Sequence, residues 1–232
     1  MIWNQSGSNP EVPRRYWKKM LIGIASWLLL AVAGQYPVQW WTPVIDPHKP
    51  DWEILPQAAK PGEVILSKRN ELGILSNFAA TPFTLDGVRY ASVEGFWQMM
   101  LYPESADDPR ARAANLKWPH TRSEVARMTA FEAKAAGDIG EDNMRRMGID
   151  WVTFEGKRMP YRSMNKGGHY RLIVEAMRAK LAQNPEVRRI LLATGNLILL
   201  PGHMQEANAP PEWAYCTIWM EIRAELQRGR PR

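Results

Sequence analysis

Proline and glycine punctuation restricts this chain to short strands set between a handful of helices. Between residues 63 and 91, Gly73, Pro82 and Asp86-Gly87 interrupt the text so often that only short strands fit. "EVILSK" (63–68) predicts a strand in which Val64 and Leu66 alternate against Ile65. "PFTLDGVRY" predicts a hairpin turning at Asp86-Gly87, a pair suited to the tight turns that need positive φ. Ser92 is an N-cap for a helix from Val93 to about Tyr102, with Phe96, Trp97 and Met100 on one face and Pro103 as its stop. Two further helical stretches break near Trp118-Pro119, and Thr121 and Glu124 have capping-box spacing. Trp151 falls at a junction. A sustained helical period then runs from about Gly168 to Gln183, with Leu172, Ala176, Met177 and Leu181 inside and Arg171, Glu175 and Arg178 outside. A short helix in "EVRRILLATG", an apolar strand after Thr194-Gly195 and a last helix carrying Ile218, Ile222 and Leu226 complete the chain. There is no internal repeat, no G-x-G-x-x-G and no P-loop. The pattern predicts an α+β fold: a helix-rich single domain with a few short strands.

Ahead of that domain, "PRRYWKKMLIGIASWLLLAVAGQ" reads as an address. Arg14, Arg15, Lys18 and Lys19 form a basic region, and Leu21 to Val32 is an apolar run shorter than the ~20 residues of a comfortable membrane span. Ala31-Val32-Ala33 then supplies a small-x-small cleavage pattern. Residues 1–33 are expected to be a signal peptide or a membrane anchor, which implies export to a bacterial periplasm or attachment to the inner membrane. If the segment is not a true signal, the protein stays in the cytoplasm. Residues 34–62, rich in Pro and Trp and without period, read as a linker or a strap lying on the domain. The domain proper spans 63–232.

Charge and cysteine usage narrow the chemistry. The formal net charge of +6 suits phosphorylated or nucleic-acid ligands, although much of the excess sits in the N-terminal segment and in the tail "LQRGRPR". With Cys216 the only cysteine, an intrachain disulfide and a Cys-based metal site are both excluded. His48, His120, His169 and His203 form no HExxH and no close pair, so no metal and no cofactor is expected.

The segments Leu75-Ser76-Asn77-Phe78, Pro82-Phe83, Asp86-Gly87 and Ser92-Val93-Glu94-Gly95-Phe96-Trp97-Gln98 occur in that order. A Trp follows the middle helices (Trp151), then an Arg-Ala-Lys-Leu helix (178–181), "NPEVRRILLATG" and "WMEIRAEL". In order and spacing these resemble the NADAR family, of the riboflavin-intermediate N-glycosidase type, over about residues 64 to 228. The resemblance implies hydrolysis of an N-glycosidic bond between a ribose phosphate and an amine-bearing base. The substrate would be a phosphorylated riboflavin precursor or an ADP-ribose conjugate, including ADP-ribosylated nucleic acid. This sequence departs from the family in two places. Gly95 stands where the family has His. After Thr194-Gly195 the text is "LILLPGHMQEANAPPEW", without the family's Leu-Val-Glu or the acidic residue before Trp-Gly; Glu206 and Glu212 are candidate substitutes. The departures leave open a non-catalytic module that binds ADP-ribose-like ligands. A third reading is an exported interaction protein whose Trp-rich strap holds a partner.

Glu94 is the candidate catalytic carboxylate; the plain alternative is a first-turn Glu facing water. Phe78 and Trp97 are candidate walls for the base. Trp151 stacks on the base or packs in the core. Asn77 bonds ribose hydroxyls or closes an Asx-turn. Lys68 and Arg69 meet phosphate or belong to a solvated loop. Lys166 lies ahead of a helix N-terminus, a place that suits anions. Trp213 is a pocket wall or packing, and His203 reads as a loop histidine.

Overall fold

The computed structural model describes residues 36–113 and 115–229. Residues 1–33, expected as signal or anchor, lie outside them. The chain divides into two compact units, Met1–Val38 and Gln39–Arg232, and the second carries every strand and α-helix among the described residues. Among the described residues no helix is long and apolar enough to cross a membrane.

The fold is α+β, with three two-stranded pairings and a larger helical part. Strand β1 (Glu63–Leu66) pairs in parallel with β6 (Ile198–Pro201), in the register Glu63 to Ile198. Val64, Ile65 and Leu66 are all buried. The expected alternation therefore fails: a parallel pair is covered on both faces, so both sets of side chains turn away from water. Strands β2 (Phe83–Leu85) and β3 (Val88–Tyr90) form the hairpin expected at Asp86-Gly87, whose φ values are 49° and 77°. A second hairpin, β4 (Trp151–Phe154) with β5 (Lys157–Pro160), turns on Glu155-Gly156 at 49° and 72°.

The helices are α1 (Val93–Met99), α2 (Arg122–Val125), α3 (Ala130–Arg146), α4 (Gly168–Gln183), α5 (Pro185–Ala193) and α6 (Tyr215–Arg228). Helix α1 ends at Met99 and tightens into i→i+3 turns through Tyr102, short of the expected helical limit. The capping box at Thr121 and Glu124 is present in both directions.

Helix α1 is buried along its whole length, and glycines let its neighbours approach. A Cβ at Gly95 would lie 2.5 Å from the Met128 carbonyl and 2.9 Å from that of Val125. Gly137 and Gly140 of α3 face Gln98 and Leu101 in the same way. Gly95→Ala is accordingly expected to cost about 1–3 kcal/mol, read as a lower denaturation midpoint. Two arginines hold the other end of α1. Arg110 Nη1 donates to the Met100 and Leu101 carbonyls at 2.9 and 3.1 Å, and Arg122 Nη1 to that of Tyr102 at 3.0 Å. These satisfy carbonyls that a helix end leaves open.

From Gln39 onward, the expected linker or strap is part of the same compact unit. Trp40 Nε1 donates to Glu71 at 2.7 Å, and Trp41 Nε1 to the Glu63 carbonyl at 2.9 Å. Further on, Ile54 N donates to Gly202 O and Met204 N to Trp52 O, so the strap pairs with the loop after β6.

Candidate functional site

A cavity of about 420 Å³ opens where α1, α3, the strap and the loop after β6 meet. One wall is the loop Leu75–Phe78, whose successive carbonyls are held by four helices. Trp219 Nε1 of α6 donates to Leu75 O at 2.7 Å, and Lys180 Nζ of α4 to Ser76 O at 2.8 Å. The Glu94 amide of α1 donates to Asn77 O at 2.9 Å, and the Ala130 amide of α3 to Phe78 O at 3.2 Å. With the backbone fixed this way, Asn77 and Phe78 reach the cavity. The Asn77 Oδ1 acceptor is buried without a partner.

Glu94 lines the cavity at 7 % exposure. Ser92 caps its helix, accepting from Gly95 N at 2.9 Å and donating to Met128 O at 2.9 Å. Burial pushes the Glu94 carboxyl up to about 7, against the hydrogen bond from Gln98 and the charges of Lys134 and Lys68. A carboxylate this removed from water stays there only with partners or a task. The water-facing alternative does not describe it.

Aromatic side chains supply much of the remaining wall. The Trp97 indole donates to the Tyr161 hydroxyl, which in turn donates to Glu141. Burial first, then the Glu141 charge, holds the Tyr161 phenol well above its usual range. Arg162 pairs with Glu141 at 3.2 Å and lies 4.9 Å from the Trp213 ring centre. At the rim, Lys68 Nζ lies 4.6 Å from the Phe78 ring and 5.7 Å from that of Trp52. Burial against these rings lowers the Lys68 pKa, while Glu94 and Glu53 act the other way. His203 stacks on Tyr215, and burial, then Lys68, lowers its pKa. Two non-glycine residues with positive φ outside the hairpin turns, Ala130 at 50° and Arg162 at 55°, sit at this site. Arg162 itself lines the cavity and Ala130 precedes the lining Phe131, so strain here aims side chains inward.

Glu94, Asn77, Phe78, Trp97, Lys68 and Trp213 are thus brought together at one cavity. Three candidates are not. Arg69 binds the strap, with Nε and Nη2 on Glu53 at 2.8 and 2.6 Å and Nη1 on Asp46 at 2.8 Å. The hydrogen bond from Arg69 holds the Glu53 carboxyl below its usual range. Trp151 stands on the β4–β5 hairpin and stacks with the guanidinium groups of Arg158 and Arg110, at 4.1 and 4.9 Å. Lys166 pairs with Glu221 at 3.3 Å and faces Tyr170, away from the cavity. Of the two acidic substitutes, Glu206 lines the cavity, whereas Glu212 is buried against His169 Nδ1 at 3.0 Å. Sequence reasoning missed Trp52, Glu141, Tyr161 and Arg162, which only tertiary contacts bring here. It also left Gln98 out of the site, although Gln98 stands within the quoted motif. At Gly95 the Met128 and Val125 carbonyls leave no room for a side chain. Among the described residues no three His, Cys, Asp or Glu side chains converge as a metal site would require.

No family model matches the chain, and no curated protein matches it. Among solved structures, the NMR structure of the E. coli protein YbiA is similar. It is 22% identical, over 72% of this chain and 86% of that one, with a TM-score of 0.44. At that distance no residue is carried from one chain to the other.

Proposed function

We propose that this chain is an N-glycosidase that hydrolyses the bond between a ribose carbon and the nitrogen of an amine-bearing base. The substrate is a phosphorylated riboflavin intermediate or an ADP-ribose conjugate, with ADP-ribosylated nucleic acid among the latter. The observation that carries the reading is Glu94: a buried carboxylate, raised to about 7, on the wall of an aromatic-lined cavity. Breaking such a bond builds positive charge on the ribose ring, which a carboxylate stabilises. A group that titrates near neutrality also takes a proton efficiently from the attacking water, whose oxygen ends on the ribose carbon. The leaving nitrogen keeps the electron pair and is protonated. Phe78 and Trp97 offer ring faces to the base, the free Asn77 Oδ1 accepts from a ribose hydroxyl, and Lys68 meets phosphate.

A non-catalytic binding module is the second reading, favoured by the absence of any side chain at Gly95. Incubation with phosphorylated riboflavin precursors, NAD, ADP-ribose and ADP-ribosylated DNA separates the two. Release of base or ribose phosphate is the expected result. Saturable binding without release establishes the module, and the absence of both release and binding removes both readings.

A further inference from the structure

Glu94 and Gln98 stand one helical turn apart on the same face of α1, and both are 7 % exposed. Gln98 Nε2 donates to Glu94 Oε1 at 2.8 Å. The amide has nowhere to sit except against α3. A Cβ at Gly137 would lie 1.9 Å from Gln98 Oε1 and 2.2 Å from its Cδ. Any larger residue at 137 therefore displaces the amide. Glycine within a long helix costs roughly 1 kcal/mol against alanine, and here the notch it leaves is filled by the Gln98 amide. The nitrogen must face the ionised carboxylate, because an amide oxygen in that place would repel it. Gln98 Oε1 is left as a buried acceptor with no partner.

From this packing we infer that Gln98, seated in the notch at Gly137, is the positioning residue that fixes the Glu94 carboxylate in the cavity and favours its ionised form. The inference rests on the role proposed for Glu94, but its test does not. The other charged groups that act on Glu94 are Lys68 from the segment after β1, and Lys134 and Asp138 from α3. Lys134 lines the cavity too and is paired with Asp138, and Lys68 stands among rings at the rim. Gln98 is the direct hydrogen-bond donor to the carboxylate.

Carbon-13 titration of the glutamate carboxyls in the substrate-free protein reads this directly, with the Glu94 signal assigned by its loss in Glu94→Gln. The comparison is wild type against Gln98→Met and Gly137→Ala. Loss of a hydrogen bond to a charged group moves the midpoint up by about one pH unit. The expected result is that upward shift in Gln98→Met, repeated in Gly137→Ala, where neither Glu94 nor Gln98 is changed. Should Gly137→Ala not fold, Gln98→Met decides alone, because methionine fills the notch and only removes the donor. An unchanged or lowered midpoint in folded Gln98→Met overturns the inference, whatever happens to stability. If the midpoint rises but no compound is cleaved, the positioning stands and the proposed activity fails.

Discussion

From the role proposed for Glu94, Glu94→Gln is expected to lower turnover by roughly 10²–10⁴-fold while leaving ligand affinity nearly unchanged. The charge that the carboxylate answers develops mainly in the transition state, so the ground-state complex loses little. The same variant has a second signature, in stability. Burial disfavours the charge, so the carboxyl is pushed up to about 7 in the folded chain, against 4.5 when unfolded. Between those values the folded chain holds the proton more tightly, so the stability this group contributes is present below 4.5 and is lost as pH rises through about 7. Glutamine carries no charge to desolvate. Glu94→Gln is therefore more stable than wild type by about 3 kcal/mol well above neutrality and close to it in acid. A solvated first-turn Glu predicts the reverse, a loss of about 0.3–1 kcal/mol with unchanged turnover. Thermal denaturation at an acid and an alkaline pH, together with one rate measurement, separates the two.

Arg110→Met destabilises the fold by about 3–5 kcal/mol, through loss of a buried ion pair's partner. Arg110 is fully buried. It donates to both oxygens of Asp108 at 3.0 and 2.6 Å, to the Met100 and Leu101 carbonyls, and to Thr153 Oγ1 at 2.6 Å. Burial raises the Asp108 carboxyl, but hydrogen bonds from Arg110 and from the Glu104 and Arg110 amides outweigh it and leave its pKa lowered. Methionine keeps much of the volume but leaves Asp108 without its charged partner and the Leu101 carbonyl without its donor. The loss reaches the site, because α1 carries Glu94 at its other end. The exposed pair Arg112–Asp107 is the control: Arg112→Met changes stability by less than about 0.5 kcal/mol. Chemical denaturation of both variants measures the difference.

How much of the fold is legible in the chain depends on whether the signal is local. Helix α4 is legible between Gly168 and Gln183 because Ala176, Met177 and Leu181 keep one apolar period, but its buried face takes Ile173, His169 and Lys180 and leaves Leu172 half-buried. Asp86-Gly87 and the Thr121/Glu124 box are legible because a turn and a cap are decided by residues a few positions apart. The pairing of β1 with β6 is not, since the partner lies far along the chain and nothing in "EVIL" names it. Glu155-Gly156 carries the same turn geometry as Asp86-Gly87, but the sequence reading has only a junction there, at Trp151. At the site, Asn77, Phe78, Glu94 and Trp97 fall in one continuous stretch, so the motif draws them together. Charge singles out Arg69, and charge ahead of a helix N-terminus singles out Lys166, but neither signal reveals that Asp46, Glu53 and Glu221 already hold them. Trp52 comes from the strap and Tyr161-Arg162 from the segment after β5, and they are united only by folding.

The most direct test is the structure of Glu94→Gln with a phosphorylated N-riboside bound, chosen from the compounds the wild-type protein cleaves. The account predicts the ribose in the cavity between Asn77 and residue 94, its anomeric carbon facing the side-chain amide. The base should lie against Phe78 and Trp97, and the phosphate should point toward Lys68. A compound bound outside the cavity, or a ribose turned away from residue 94, contradicts the account.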